Sequence, residues 1–179
     1  MGMLVLLPVL LLVPAARHTI ESRMALHMLL EFPLLFASGY AAMRIMEQRM
    51  RHWLALDHLG IAGLTAASCV FAFWMIPAAL DAALLDPAVA AAKYLSWWLA
   101  GFAAANALRR ATIEIRIFFL GNAAWMSATA GLLYLDATSR LCVSYLFGDQ
   151  ETAGRGLVLL ACLLAFLAIR GPRARGFRF

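Results

Sequence analysis

Long apolar runs alternate with short polar gaps along the whole chain, and arginine is concentrated in the gaps. A helix crossing a bilayer needs about 20 mostly apolar residues. That ruler places spans at 1–16, 24–45, 53–80, 88–108, 113–135 and 156–169, of which the first and last are short. A further apolar stretch, 139–147, is too brief to cross and predicts an interfacial turn of helix. Only helices and closed barrels satisfy their backbone in hydrocarbon, and the alternating pattern of barrel strands is absent. The pattern therefore predicts an all-α, polytopic transmembrane helical bundle of about six spans. The first run lacks a positively charged leading segment, so it reads as a retained helix rather than a cleaved signal peptide.

Composition agrees. The 179 residues are 64% hydrophobic and 14% charged, against about 45–50% and about 25% in an ordinary soluble domain. Mean hydropathy is +0.82. No room remains for a sizeable soluble domain, and the expected organisation is a bundle over 1–170 with a basic cytoplasmic tail at 171–179.

Charge sets the orientation. Taking alternate gaps as one side gathers Arg44, Arg49, Arg51, Arg109, Arg110, Arg116, Arg170, Arg173, Arg175 and Arg178, which is 10 of the 15 basic residues. The opposite side holds Glu21, Asp81, Asp86, Asp136, Asp149 and Glu151 among its charges. Basic loops stay inside, so both termini are expected in the cytoplasm of a bacterium, with the chain multi-pass in its inner membrane. The net charge of +5 then speaks of membrane lipids with anionic headgroups and not of nucleic acid.

Cysteines Cys69, Cys142 and Cys162 show no metal-like spacing, and no phosphate loop, dinucleotide fingerprint or catalytic triad pattern is present. Nothing here predicts an enzyme. Small residues are dense at Ala100, Gly101, Ala103, Ala104 and Ala105 and again at Gly121, Ala123 and Ala124, as close helix packing requires.

Ionisable residues inside a span carry a functional hypothesis by default. Met24, His27, Met28 and Glu31 are spaced by three and four and share one helical face, with Arg23 on its flank. Two thioethers and an imidazole suit monovalent copper. The competing reading is that the methionines fill gaps in the core and that His27 bonds Glu31. Glu31 itself predicts a pair with His27 or Arg23, because an unpaired charge at depth costs at least about 2–3 kcal/mol. His52, Asp57 and His58 sit at the inner end of the third run and read as interfacial groups.

Three stretches carry a resemblance. Residues 21–30 (ESRMALHMLL) followed by Pro33, then Trp74-Met75-Ile76-Pro77 with Asp81 and Asp86-Pro87, then Asp149, Gln150, Ala153 and Gly154, resemble in order the motifs of the CtaG family of cytochrome c oxidase assembly factors. The resemblance covers about residues 20 to 160, and the orientation puts all three stretches at the outer face. It implies a membrane protein that supports maturation of the copper centre of a haem-copper oxidase. It further implies copper ligands among His27, Met24, Met28 and Met75, with His18 as a loop donor, and roles for Asp81, Asp149 and Gln150. The departures are substantial. Arg23 stands where the family has a histidine, Met75 replaces another, and Ala90, Lys93 and Tyr94 replace a His-x-x-Glu-His element. Arg23 and Lys93 would repel a bound cation, by roughly 4 kcal/mol at about 4 Å and an effective dielectric near 20. The alternative is therefore a permanent, non-catalytic accessory subunit of a respiratory or other membrane oxidoreductase whose metal site has decayed. A b-type haem or quinone protein is a third class, disfavoured because His27 and His58 fall at opposite membrane faces.

Overall fold

The computed structural model describes residues 8, 14–46 and 59–170. Over these the chain is an all-α bundle of seven helices. They are α1 (Pro14–Glu21), α2 (Met24–Met46), α3 (Ile61–Trp74), α4 (Pro77–Leu85), α5 (Pro87–Arg110), α6 (Ile113–Asp136) and α7 (Phe147–Arg170). Helices α2, α6 and α7 are long and apolar enough to cross a membrane, and α3 with α4 makes a fourth if the bent pair counts as one span. The expected span at 1–16 apart from residues 8 and 14–16, and the start of the third run, with His52, Asp57, His58 and the basic tail at 171–179, lie outside the described residues.

Several boundaries differ from expectation for local reasons. The run 53–80 is no single helix, because α3 ends at Trp74 and α4 leaves at 78°. Pro77 forces this, since a residue before proline is driven out of the helical region and Ile76 sits at φ −76°, ψ 124°. Proline repeats the device at the next corner, where Asp86 caps α5 by accepting the Ala88 N–H at 2.7 Å and Pro87 takes the first helical position. Helix α5 has 24 residues, yet it falls outside the group apolar enough to cross alone, with Lys93 inside its apolar stretch. Residues 137–146 form an irregular loop and not the expected interfacial helix. Helix α7 starts earlier than its apolar run, at Phe147, and carries Asp149 in its first turn, where the helix dipole favours an acid.

Glycines set the packing. A Cβ on Gly39 would fall 1.9 Å from the Trp98 carbonyl oxygen, and one on Gly101 would fall 2.0 Å from that of Phe36. So the backbones of α2 and α5 are in contact, and the helices run parallel, with His27 beside Lys93, Phe32 stacked on Trp97 at 4.7 Å and Phe36 against Gly101 in the same order along both. Helix α3 runs antiparallel to α5, with Gly60, at φ 72°, against Ala107, and with Trp74 Nε1 donating to Ser96 Oγ at 2.9 Å. Gly131 and Gly154 bring α6 and α7 together as an antiparallel hairpin. Leu29 of α2 rests on Gly156 of α7 and closes the ring α2–α5–α3–α6–α7. This arrangement places Arg44, Arg109, Arg110, Arg116 and Arg170 at one end. At the other end lie α1, the α3–α4 corner and the 137–146 loop.

Candidate functional site

At the loop end of the bundle, four elements bury a cluster of charges. Helix α1 contributes Arg17 and Glu21, one turn apart, with Arg17 Nε donating to Glu21 Oε2 at 2.8 Å. Ser22 closes α1 by donating its hydroxyl to the Thr19 carbonyl at 2.8 Å, and α2 begins at Met24. The first turns of α2 then widen, and His27–Glu31 is π-helical. Pro33 gives a reason: it lacks the N–H that an α-helical turn would direct to Leu29, and its ring crowds that carbonyl. Within the widened turn His27 Nε2 lies 3.7 Å from Glu31 Oε2, too far for a hydrogen bond.

Lys93, in the second turn of α5, fills the centre. Its ammonium donates to Glu21 Oε1 at 2.6 Å and to His27 Nε2 at 2.9 Å, and stands 2.7 Å from Glu31 Oε1. The charge of Glu31 is compensated by that ammonium, 2.7 Å from its Oε1. An ammonium has donors only, so His27 Nε2 must be the acceptor and Nδ1 carries the proton. That tautomer is assigned by the network, and it donates from Nδ1 to the hydroxyl of Tyr145 in the 137–146 loop. His27, Glu31 and Lys93 are all essentially inaccessible to solvent. Phe32 covers the imidazole edge-on at 5.1 Å, and Lys93 lies 4.8 Å from the centre of the Tyr94 ring. With His27 neutral, the two carboxylates balance Lys93 and Arg17.

Glu21, His27 and Glu31 have the spacing of a metal site, with one ligand atom from each lying within 4.8 Å of the others. Lys93 Nζ occupies the point on which those atoms converge. A metal there requires that the ammonium leave. The donor set is also hard, two carboxylates and one imidazole, and not the thioether-rich set that copper(I) prefers. That trio is therefore not a copper(I) donor set, and with the ammonium in place one fixed cation links three helices.

The expected site residues divide into two groups. His27 and Glu31 meet in the cluster, but the partner of Glu31 is Lys93 and not Arg23, which is exposed. His18 is exposed on α1. Met24 and Met28 pack into the apolar core with Phe32, Leu35, Trp74 and Trp97, and Met75 lies against that core at the α3–α4 corner. Asp81 accepts the backbone N–H groups of Val143 and Ser144 at 2.8 and 3.1 Å. Gln150 accepts from Leu141 N–H at 2.8 Å and donates to the Tyr134 carbonyl at 3.1 Å. These two residues hold the 137–146 loop and thereby Tyr145. Asp149 is half-buried at the start of α7. Sequence reasoning missed Glu21 as a member and Tyr145 altogether, and it read Lys93 only as a repelling charge. Arg17 and Glu21, spaced i and i+4, were the available signal.

Comparison of the chain with protein-family models, with curated proteins and with solved structures finds no match.

Proposed function

We propose that this chain is a CtaG-like integral membrane protein acting as a permanent, non-catalytic accessory subunit of a respiratory or other membrane oxidoreductase, in a bacterial inner membrane with its arginine-rich end toward the cytoplasm. The observation that carries the reading is the ammonium of Lys93 lying 2.6 Å from Glu21, 2.9 Å from His27 and 2.7 Å from Glu31. A built-in cation at the convergence point serves a lasting scaffold better than a carrier that must load and release a metal. The gathering of the α2 start, the α3–α4 corner and the α7 start at one end supports the family resemblance, because the three resembling stretches then form one surface. A pull-down in mild detergent tests it. Recovery with an oxidoreductase core at fixed stoichiometry is the expected result, and recovery of the chain alone from native membranes overturns it.

The second reading, a factor for copper-centre maturation, is favoured by one observation: His27, Met24, Met28 and Met75 share that end of the bundle. Metal analysis of purified protein and of His27→Ala separates the two. Copper at about one per chain, lost in the variant, would favour maturation.

A further inference from the structure

A cavity of about 330 Å³ runs through the middle of the ring and opens on one side. It lies at the small end of ligand pockets, about 300–1,000 Å³. Its shape follows from its lining. It follows α3 from Leu64 and reaches Met75 at the α3–α4 corner, a rise of about 16 Å at helical spacing. Aromatic walls come from Phe32, Phe71 and Trp97. Among the lining residues the one formal charge is Arg116, in the first turn of α6 at the arginine-rich end.

Arg116 is only partly engaged. Its Nε donates to the Ala111 carbonyl at 3.1 Å, which fixes the side chain across the α5–α6 corner. Its two terminal nitrogens have no protein acceptor among the described residues. A guanidinium presents a fork of donors suited to phosphate or carboxylate oxygens. An apolar cavity about 16 Å long, with one cation in its wall at the arginine-rich end, matches an amphiphile with one extended tail and an anionic head.

We infer that the cavity holds one acyl chain of an anionic phospholipid, whose phosphate pairs with Arg116 at the arginine-rich end of the bundle. The position of Arg116 favours a membrane phospholipid over a free fatty acid, since the α6 start is at headgroup depth if α6 spans the bilayer and the second chain can remain in the bilayer. The bound chain supplies packing between α3, α6 and α7 that the protein leaves undone. The inference rests on the chain lying in a bilayer and not on which complex it serves.

Lipid retention tests it. The full chain is reconstituted in nanodiscs of phosphatidylglycerol and phosphatidylcholine in equal amounts, returned to mild detergent, stripped of loose lipid, and weighed by native mass spectrometry. One phosphatidylglycerol per chain, preferred at least tenfold, is the expected result. Arg116→Gln should lower that retention about tenfold, and Ser68→Phe, which fills the cavity, should lower retention of both lipids. Gly121→Ala, which has open space around it, should change nothing. Equal retention of the two lipids by the unaltered chain overturns the inference. So does a folded chain that keeps no lipid, or one purified from native membranes that carries a fatty acid or a neutral isoprenoid in its place. The headgroup preference of the unaltered chain decides the matter even if Arg116→Gln fails to fold, and none of these outcomes bears on the oxidoreductase partner.

Discussion

The ammonium of Lys93 lies 2.6 Å from Oε1 of Glu21, a residue 72 positions earlier in the chain. Through that contact α5 grips α1, and through Glu31 and His27 it grips the widened turn of α2. Removing one member of a buried ion pair leaves an uncompensated charge, which destabilises by about 3–5 kcal/mol, whereas replacing both ends with neutral groups is far milder. Lys93→Met should therefore lower the unfolding free energy in detergent by several kcal/mol. Adding Glu31→Gln to Lys93→Met should recover part of the loss, because the two changes are coupled. Thermal or denaturant unfolding of the singles and the double checks this, and strict additivity would show that the two do not act as one unit.

The same contact predicts a change of ligand. With Lys93→Ala, the oxygens of Glu21 and Glu31 and the imidazole of His27 are left around an empty point at metal-ligand spacing. Two carboxylates and an imidazole suit zinc or cobalt(II). The variant should bind about one cobalt(II) with visible absorption bands, and the unaltered chain should bind none at that site. Metal uptake should also raise the variant's melting temperature, since a ligand that binds only the folded state stabilises it.

Glycine substitutions should change sign with position. In a helix interior, alanine is favoured over glycine by about 0.5–1 kcal/mol where space allows. Gly121 has nothing within 4 Å of a built Cβ, so Gly121→Ala should be neutral to stabilising. Gly39→Ala would drive a methyl to 1.9 Å from the Trp98 carbonyl oxygen and must push α2 away from α5. Melting temperatures should move in opposite directions. Similar values for the two would mean that α2 and α5 do not touch as described.

Much of this architecture is readable in the sequence, and the failures have physical causes. The spans of α2 and α6 follow from apolar runs bounded by charge. The break at Trp74 was encoded by Pro77, but a length ruler sums hydrophobicity and does not register a proline that redirects the chain. Helix α7 reaches back to Phe147 through Asp149, Gln150 and Glu151 because backbone hydrogen bonding needs no apolar side chain. The stripe Met24, His27, Met28 and Glu31 was visible from spacing. Its completion by Lys93 and Tyr145 was not, since no local periodicity connects residues 66 and 118 positions apart from His27.

Cys142 gives a pH dependence. It lies in the 137–146 loop, with its thiol directed at the Pro77 carbonyl at 3.7 Å. Burial, with the nearby Asp81 carboxylate, pushes this thiol from an ordinary value of 9.0 up to about 12. The unfolded chain therefore loses the proton first as pH rises. Stability from this group is complete below about 9 and falls as pH rises from about 9 toward about 12. Cys142→Ala removes the titration, so its stability should fall less over that window than that of the unaltered chain. At pH 8 the thiol should also resist alkylation in the folded state, because the thiolate is the nucleophile. Mass spectrometry after iodoacetamide treatment checks this, and rapid labelling of Cys142 in folded protein would show the loop to be open.

Tyr145 tests whether the loop and the charge cluster are one structure. Its hydroxyl is the partner of His27 Nδ1, and the loop that carries it is pinned by Asp81 through Val143 and Ser144. Tyr145→Phe keeps the ring but leaves a buried N–H on His27 without an acceptor, which costs about 1–3 kcal/mol. Asp81→Asn leaves Tyr145 in place chemically but weakens the backbone contacts that position it. If the loop acts only through Tyr145, the double variant should lose little more than Tyr145→Phe alone. If the loss is additive, Asp81 stabilises the α3–α4 corner independently of His27. Unfolding free energies for the four proteins decide between these outcomes, and the geometry favours the first, because both Asp81 oxygens are directed at the two residues that immediately precede Tyr145.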